Sequence, residues 1–149
     1  MFKMIKILLC LSCITLPLFA QTPFILEKFS TAHIVVKTHS NELLGRYKAN
    51  ISELLHEYAQ DLNISVTNKS NRVLGVDIQI KKINKNLSII DLELFIHEPT
   101  IRLEDKEEVF SIVYQNSLIF VVKDIEEDIE DNLITLLEEL QTQYQEDNE

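Results

Sequence analysis

Cysteine is confined to one short stretch of this chain. Cys10 and Cys13 are the only two in 149 residues, and both lie within Met1–Ala20. If that stretch is removed, no disulfide framework, thiol nucleophile or cysteine-based zinc site can be built. Tryptophan is absent, and glycine and proline number two and three. That scarcity excludes collagen-like, linker-like and low-complexity chains. Gly45 and Gly75 lie too far apart for a phosphate-cradling loop or a dinucleotide fingerprint. No serine has the flanking glycines of a nucleophile elbow, and pairing Ser111 with a distant histidine has no support in spacing.

Hydrophobic residues make up 46% of the chain, enough to build a core. Met1–Ala20 carries Lys3 and Lys6, an apolar run from Ile7 to Leu16, Pro17 and then Ala20. That order predicts a cleaved secretory signal peptide over residues 1–20. The run is too short for a transmembrane span, and no other segment approaches one. Neither cysteine follows the small residues that lipoprotein cleavage requires. The expectation is a periplasmic or secreted protein with one domain over residues 21–149.

Charge is polarised along that domain. Residues 21–90 carry nine bases and six acids; residues 91–149 carry three bases and eighteen acids. The mature balance is −12. Nucleic acid and anionic membranes are disfavoured as partners, because phosphates reward lysine and arginine. A basic protein partner is permitted by electrostatic steering, and acidity also serves solubility.

Hydrophobic periodicity predicts the elements. Phe24–Phe29 is a possible opening strand, and Ala32–Thr38 alternates more clearly. Ser40 offers an N-cap, with Glu42 in the first turn. Leu44, Tyr47, Ile51, Leu54, Leu55, Tyr58 and Leu62 then mark a helix ending near Asp61. Asn63–Thr67 is a short strand candidate. Val73–Lys82 and the run around Ile90–Ile96 alternate in phase, which predicts a hairpin pairing Ile80 with Ile90 and Ile78 with Leu92. Past Pro99, the pattern suggests Leu103 opposite Phe110 and Ile101 opposite Ile112. A further turn is expected at Gln115–Ser117, with Tyr114 opposite Leu118. Ile119, Val121 and Val113 make that hairpin apolar on its second face, so it is either covered on both sides or a sticky edge through which copies can associate. Asp124 reads as an N-cap with Glu127 at the capping-box position, and a stripe from Ile125 through Leu133 and Leu140 to Tyr144 defines a second helix. The last five residues are expected to fray. Together these predict an α+β fold: a two-layer sandwich, with an antiparallel sheet of about four to six strands and two long helices on one face.

The mature chain resembles an uncharacterised group of small exported bacterial proteins. The matching stretches are His33-Ile34-Val35-Val36, the helix exit Leu62-Asn63-Ile64-Ser65-Val66, Leu92-Glu93-Leu94, and Leu136-Leu137-Glu138-Glu139-Leu140 followed by Tyr144 and Asn148. About 120 residues are covered, and the motifs are packing motifs. The aromatic and glycine-rich stretch of that group is Val113-Tyr114-Gln115-Asn116-Ser117 here, without tryptophan or glycine. The resemblance implies fold and export and carries over no catalytic residue.

The chain offers no catalytic, cofactor-binding or metal-binding set. His33 and His39 lie six residues apart, about 20 Å if extended. His56 sits by Glu53 and Glu57. His97 shares a strand face with Asp91 and Glu93, a spacing better suited to a solvated face paired with Lys81 than to chelation. Asp124–Asp131 holds six acids but lacks the central glycine of an EF-hand loop. The sequons at Asn50, Asn63, Asn68 and Asn86 read as asparagine-rich composition. The functional expectation is a non-enzymatic protein-binding or accessory protein of the bacterial envelope. The alternative is a carrier of a small apolar ligand in a pocket between sheet and helices.

Overall fold

The computed structural model describes residues 26–39, 45–122 and 124–149. The leader, the Ser40 cap and Lys123 lie outside the described residues. The elements run β1 (Thr31–Thr38), α1 (Gly45–Asp61), β2 (Ser65–Val66), β3 (Val73–Asn84), β4 (Leu87–Ile101), β5 (Glu108–Val122) and α2 (Ile125–Asn148). The sheet order is β2-β1-β3-β4-β5. The fold is α+β with two helices, and the five-stranded sheet is mixed, which corrects the expected antiparallel one. β1 pairs in parallel with β2 and with β3; β3–β4 and β4–β5 are antiparallel. A helix between β1 and the next strands supplies the crossover that parallel pairing needs.

The first hairpin has the register its alternation predicts, with Ile78 opposite Leu92 and Ile80 opposite Ile90. Leu74, Val76, Ile78, Ile90, Leu92, Leu94 and Ile96 are buried on one face of the sheet. Tyr47, Ile51, Leu55 and Ala59 of α1 and Ile129, Leu133, Leu136, Leu137 and Leu140 of α2 join the same cluster. Asp124 caps α2, its carboxylate accepting the Glu127 N–H at 3.4 Å. At the exit of α1, Asn63 adopts φ 58°, and the Ile64 N–H donates to the Ala59 carbonyl at 2.7 Å. That is a Schellman closure with asparagine in the left-handed position.

Three expectations fail. Leu26–Phe29 forms no strand; Leu26 and Phe29 dock into the core from a turn. No turn interrupts Gln115–Ser117, because β5 runs unbroken through it, and Tyr114 pairs with Ile96 rather than Leu118. The β4–β5 register is also shifted, pairing Ile101 with Glu108, Pro99 with Phe110 and His97 with Ile112. The connection sets that shift. Arg102 bridges Asp105 and Glu107 at 2.6 and 3.0 Å, its N–H donates to the Glu107 carbonyl, and Lys106 takes φ 64°. Ile101, Phe110 and Ile112 lie on the His97 side of the ladder, opposite the buried face of Ile90, Leu92, Leu94 and Ile96, and Leu103 lies in the turn, so all four are exposed instead of continuing the core.

The C-terminus is anchored rather than frayed. The Leu26 N–H donates to Asp147 Oδ2 at 2.7 Å, and Asn148 Nδ2 donates to the Leu26 carbonyl at 3.2 Å. Hydrogen bonds to a charged group are worth about 1.5–3 kcal/mol, less where partly solvated. Asp147→Ala should therefore cost about 1–2 kcal/mol in denaturant unfolding; an unchanged midpoint would show that this tether carries no stability.

Candidate functional site

α1 presents Asn50, Glu53, Leu54 and Glu57 at helical spacing along one side. The first turns of α2 lie across from it. Between them is a cavity of about 350 Å³ lined by Tyr47, Asn50, Ile51, Glu53, Leu54, Glu57 and Glu130. A second, of about 440 Å³, adjoins it and is lined by Tyr47, Asn50, Asp124, Glu126, Glu127, Glu130 and Asp131. No lysine, arginine or histidine lines either cavity among the described residues.

Tyr47 joins the two helices. Its hydroxyl donates to the Glu126 carbonyl. Burial, then the charges of Glu130 and Glu126, push the phenol far above its ordinary range. Tyr47 is thus a neutral donor at any physiological pH, fixing the groove without adding charge. Glu126, Glu127 and Asp128 stand at the α2 N-terminus, where the helix dipole favours negative charge. That stabilisation does not extend to Glu53, Glu57 and Glu130, whose carboxylates meet no base among the described residues.

The histidines form no ligand set, and no group of three or more potential metal ligands occurs among the described residues. His56 Nδ1 donates to the Ser52 carbonyl at 2.6 Å, a bond within its own helix. His39 Nε2 lies 3.1 Å from Asp77. His33 and His97 flank Val73 in one cross-strand row. His97 stacks on Phe95 at 4.4 Å between ring centres, and Lys37 Nζ lies 5.2 Å from the same ring. Lys81 stands opposite Ile89, while Asp91 faces Gln79, so the expected direct pairing of Lys81 with that acidic face is not made. Ser111 shares a 2.6 Å hydrogen bond with Thr100, a cross-strand tie rather than a nucleophile's geometry.

Burial first, then Lys37, holds the His97 imidazole below its ordinary value, with Glu93 opposing. The unfolded chain therefore takes up that proton more readily than the folded one. The contribution to stability is full above the free histidine value of about 6.5 and is lost as pH falls from there through the lower value of the folded state. His97→Gln should flatten the fall in Tm between about pH 7 and 5; an unchanged slope would show that His97 is not its source.

Sequence reasoning singled out the acids of Asp124–Asp131 and the neighbours of His56 separately. It did not bring them together. Their only shared signal was helical phase, since Glu53, Glu57 and Glu130 border the apolar stripes of their helices.

No helix among the described residues is long and apolar enough to cross a membrane. No protein-family model matches the chain, and no curated protein does. Among solved structures, the chain is similar to the hypothetical protein CT253 from Chlamydia trachomatis, at 14% identity and a TM-score of 0.36, over 62% of this chain and 71% of that one. It is also similar to the PelC L103M dodecamer from Paraburkholderia phytofirmans, at 7% identity and a TM-score of 0.33, over 68% of this chain and 81% of that one. At these values neither likeness fixes a fold family or a function.

Proposed function

We propose that this chain is an exported, non-enzymatic protein-binding domain of the bacterial envelope, whose groove between α1 and α2 takes a basic segment of a partner protein. The observation that carries this reading is the groove itself: carboxylates from two helices line it, and no lysine, arginine or histidine does among the described residues. A lysine or arginine side chain entering the groove meets carboxylates from both helices, which attract it. The leader-like Met1–Ala20 supports export to the periplasm or beyond. The reading includes a two-layer arrangement, with both helices on the face of Leu92 and Leu94 and no helix on the opposite face. The alternation of burial along β4 supports it. A carrier of an apolar ligand needs an apolar pocket, whereas the first cavity has carboxylates at three of its seven lining residues and the second at five of seven.

Titration with a short oligolysine, followed by backbone NMR, tests the reading. The expected first responders are Tyr47, Asn50 and Leu54. Shifts centred instead on the distal acids Glu138, Glu139 and Glu146 would count against the groove.

A further inference from the structure

β5 is an edge strand of fifteen residues whose ladder partner is β4. No charged residue occurs from Val109 to Val122. Its outer face exposes Phe110, Ile112, Ile119 and Val121, at 65, 49, 72 and 58%. Proteins usually protect a long edge with lysine, proline or brevity, because its free N–H and C=O groups template another strand. None of these three is present along this edge, whose ladder is interrupted by a bulge at Val113, between the Ile96–Tyr114 and His97–Ile112 pairs. Acid lies at both ends instead. The tip from Arg102 to Glu108 has two bases and four acids, and residues 123–128 have one base and four acids.

That charge pattern selects the occupant. A second copy pairing antiparallel would set each acidic tip against the acidic start of the other copy's α2. A parallel copy would set tip on tip. Both place like charges together at both ends, which is costly. An extended segment with an uncharged, β-branched middle and basic ends meets neither penalty.

We propose that the free edge of β5 binds such a segment of an exported polypeptide by strand addition, adding a sixth strand whose lysine or arginine ends meet the two acidic clusters. Backbone hydrogen bonds supply affinity, and alternate side chains beside Ile112 and Ile119 supply selectivity. The β5 edge itself lies outside the helical groove, and the two sites share only the acids Asp124, Glu126 and Glu127, which line the groove's second cavity; the strand addition does not need Glu53, Glu57 or Glu130.

The test is amide hydrogen exchange on the purified chain, with and without a synthetic peptide of alternating threonine and valine bearing two lysines at each end. The expected result is new protection confined to β5. The same peptide ending in glutamates should bind about tenfold more weakly, roughly 1.4 kcal/mol. A version with proline at its centre should give no protection, since it cannot continue the ladder. Ile119→Lys, at an exposed position that the fold tolerates, should weaken the lysine-ended peptide. Equal binding of the proline peptide, or protection appearing only on the helices, would overturn the proposal. So would β5 protection in the peptide-free chain that rises with protein concentration, which would make a second copy the occupant. The variant carrying Glu53→Gln, Glu57→Gln and Glu130→Gln separates the two surfaces. It should keep the β5 protection even if the groove binds nothing, and loss of protection there would place the peptide in the groove and overturn strand addition.

Discussion

Leu92→Ala should remove about 2–5 kcal/mol of stability, enough to unfold a large fraction of the protein at moderate denaturant. Leu92 is fully buried, at 0% exposure, in the middle of the sheet. It sits between Ile78 on β3 and Leu118 on β5 and faces the cluster shared with both helices. Truncation there loses the transfer free energy of the removed atoms and leaves a cavity that three paired strands cannot collapse around. Ile119 is the internal control: it pairs with Asp91 one row away but is 72% exposed. Ile119→Ala should cost within about 0.5 kcal/mol. Equilibrium denaturation of the two variants checks both values. Equal losses would mean that the second face of the hairpin is covered, contrary to the structure.

Gly75→Val should be the other large effect, about 1–3 kcal/mol, and its cause is a single ring. Phe95 points to the face opposite Leu92 and Leu94, yet it is only 2% exposed. It is covered because it lies over Gly75 on the adjacent strand, where a Cβ would fall 2.7 Å from Cε2 and closer still to Cζ. The aromatic ring occupies the space that the glycine leaves, a cross-strand rescue of glycine's weak strand propensity. Valine would drive the ring out, breaking its stack with His97 and its contact with Lys37. The effect should depend on the partner. In a Phe95→Ala background Gly75→Val should become neutral or stabilising, because the clash is gone and valine favours strands. A double-mutant cycle by thermal unfolding reads this coupling. Additive losses would show that the glycine is needed for its backbone rather than for the ring.

Much of the fold was legible wherever local pattern decides. The period-two alternation of Val76–Ile80 and Ile90–Leu94 sets the β3–β4 register, because any slip by one residue would turn Leu92 to the outside. The Asp124 cap and the α2 stripe are similarly local. The parallel β1–β3 pairing was not legible from alternation, which is blind to strand direction; the clue was the intervening α1. The error at Gln115–Ser117 came from reading polar residues as a turn. Here Gln115 reaches Glu93 at 2.9 Å and Asn116 reaches Glu139 of α2, so the polar groups are held within the strand. The tip register failed because Arg102 and its two carboxylates close the turn earlier than hydrophobic matching suggested. Asp147 and Asn148 looked like a polar tail, and only their distant partner, the backbone of Leu26, shows why the helix continues. The acidic groove is a tertiary object for the same reason: Glu53 and Glu130 are 77 positions apart, and nothing local links them.

The most direct test of the central claim compares two triple variants of equal net charge. One replaces Glu53, Glu57 and Glu130 with glutamine; the other replaces Glu138, Glu139 and Glu146. Binding of a fluorescent oligolysine is measured by anisotropy at near-physiological salt, where exposed charges beyond about 8 Å are screened. Placement in the groove predicts that the first variant loses about tenfold or more in affinity, while the second stays within about twofold of the parent chain. Equal losses in the two would mean that net acidity alone attracts the probe, and the groove would not be the binding site.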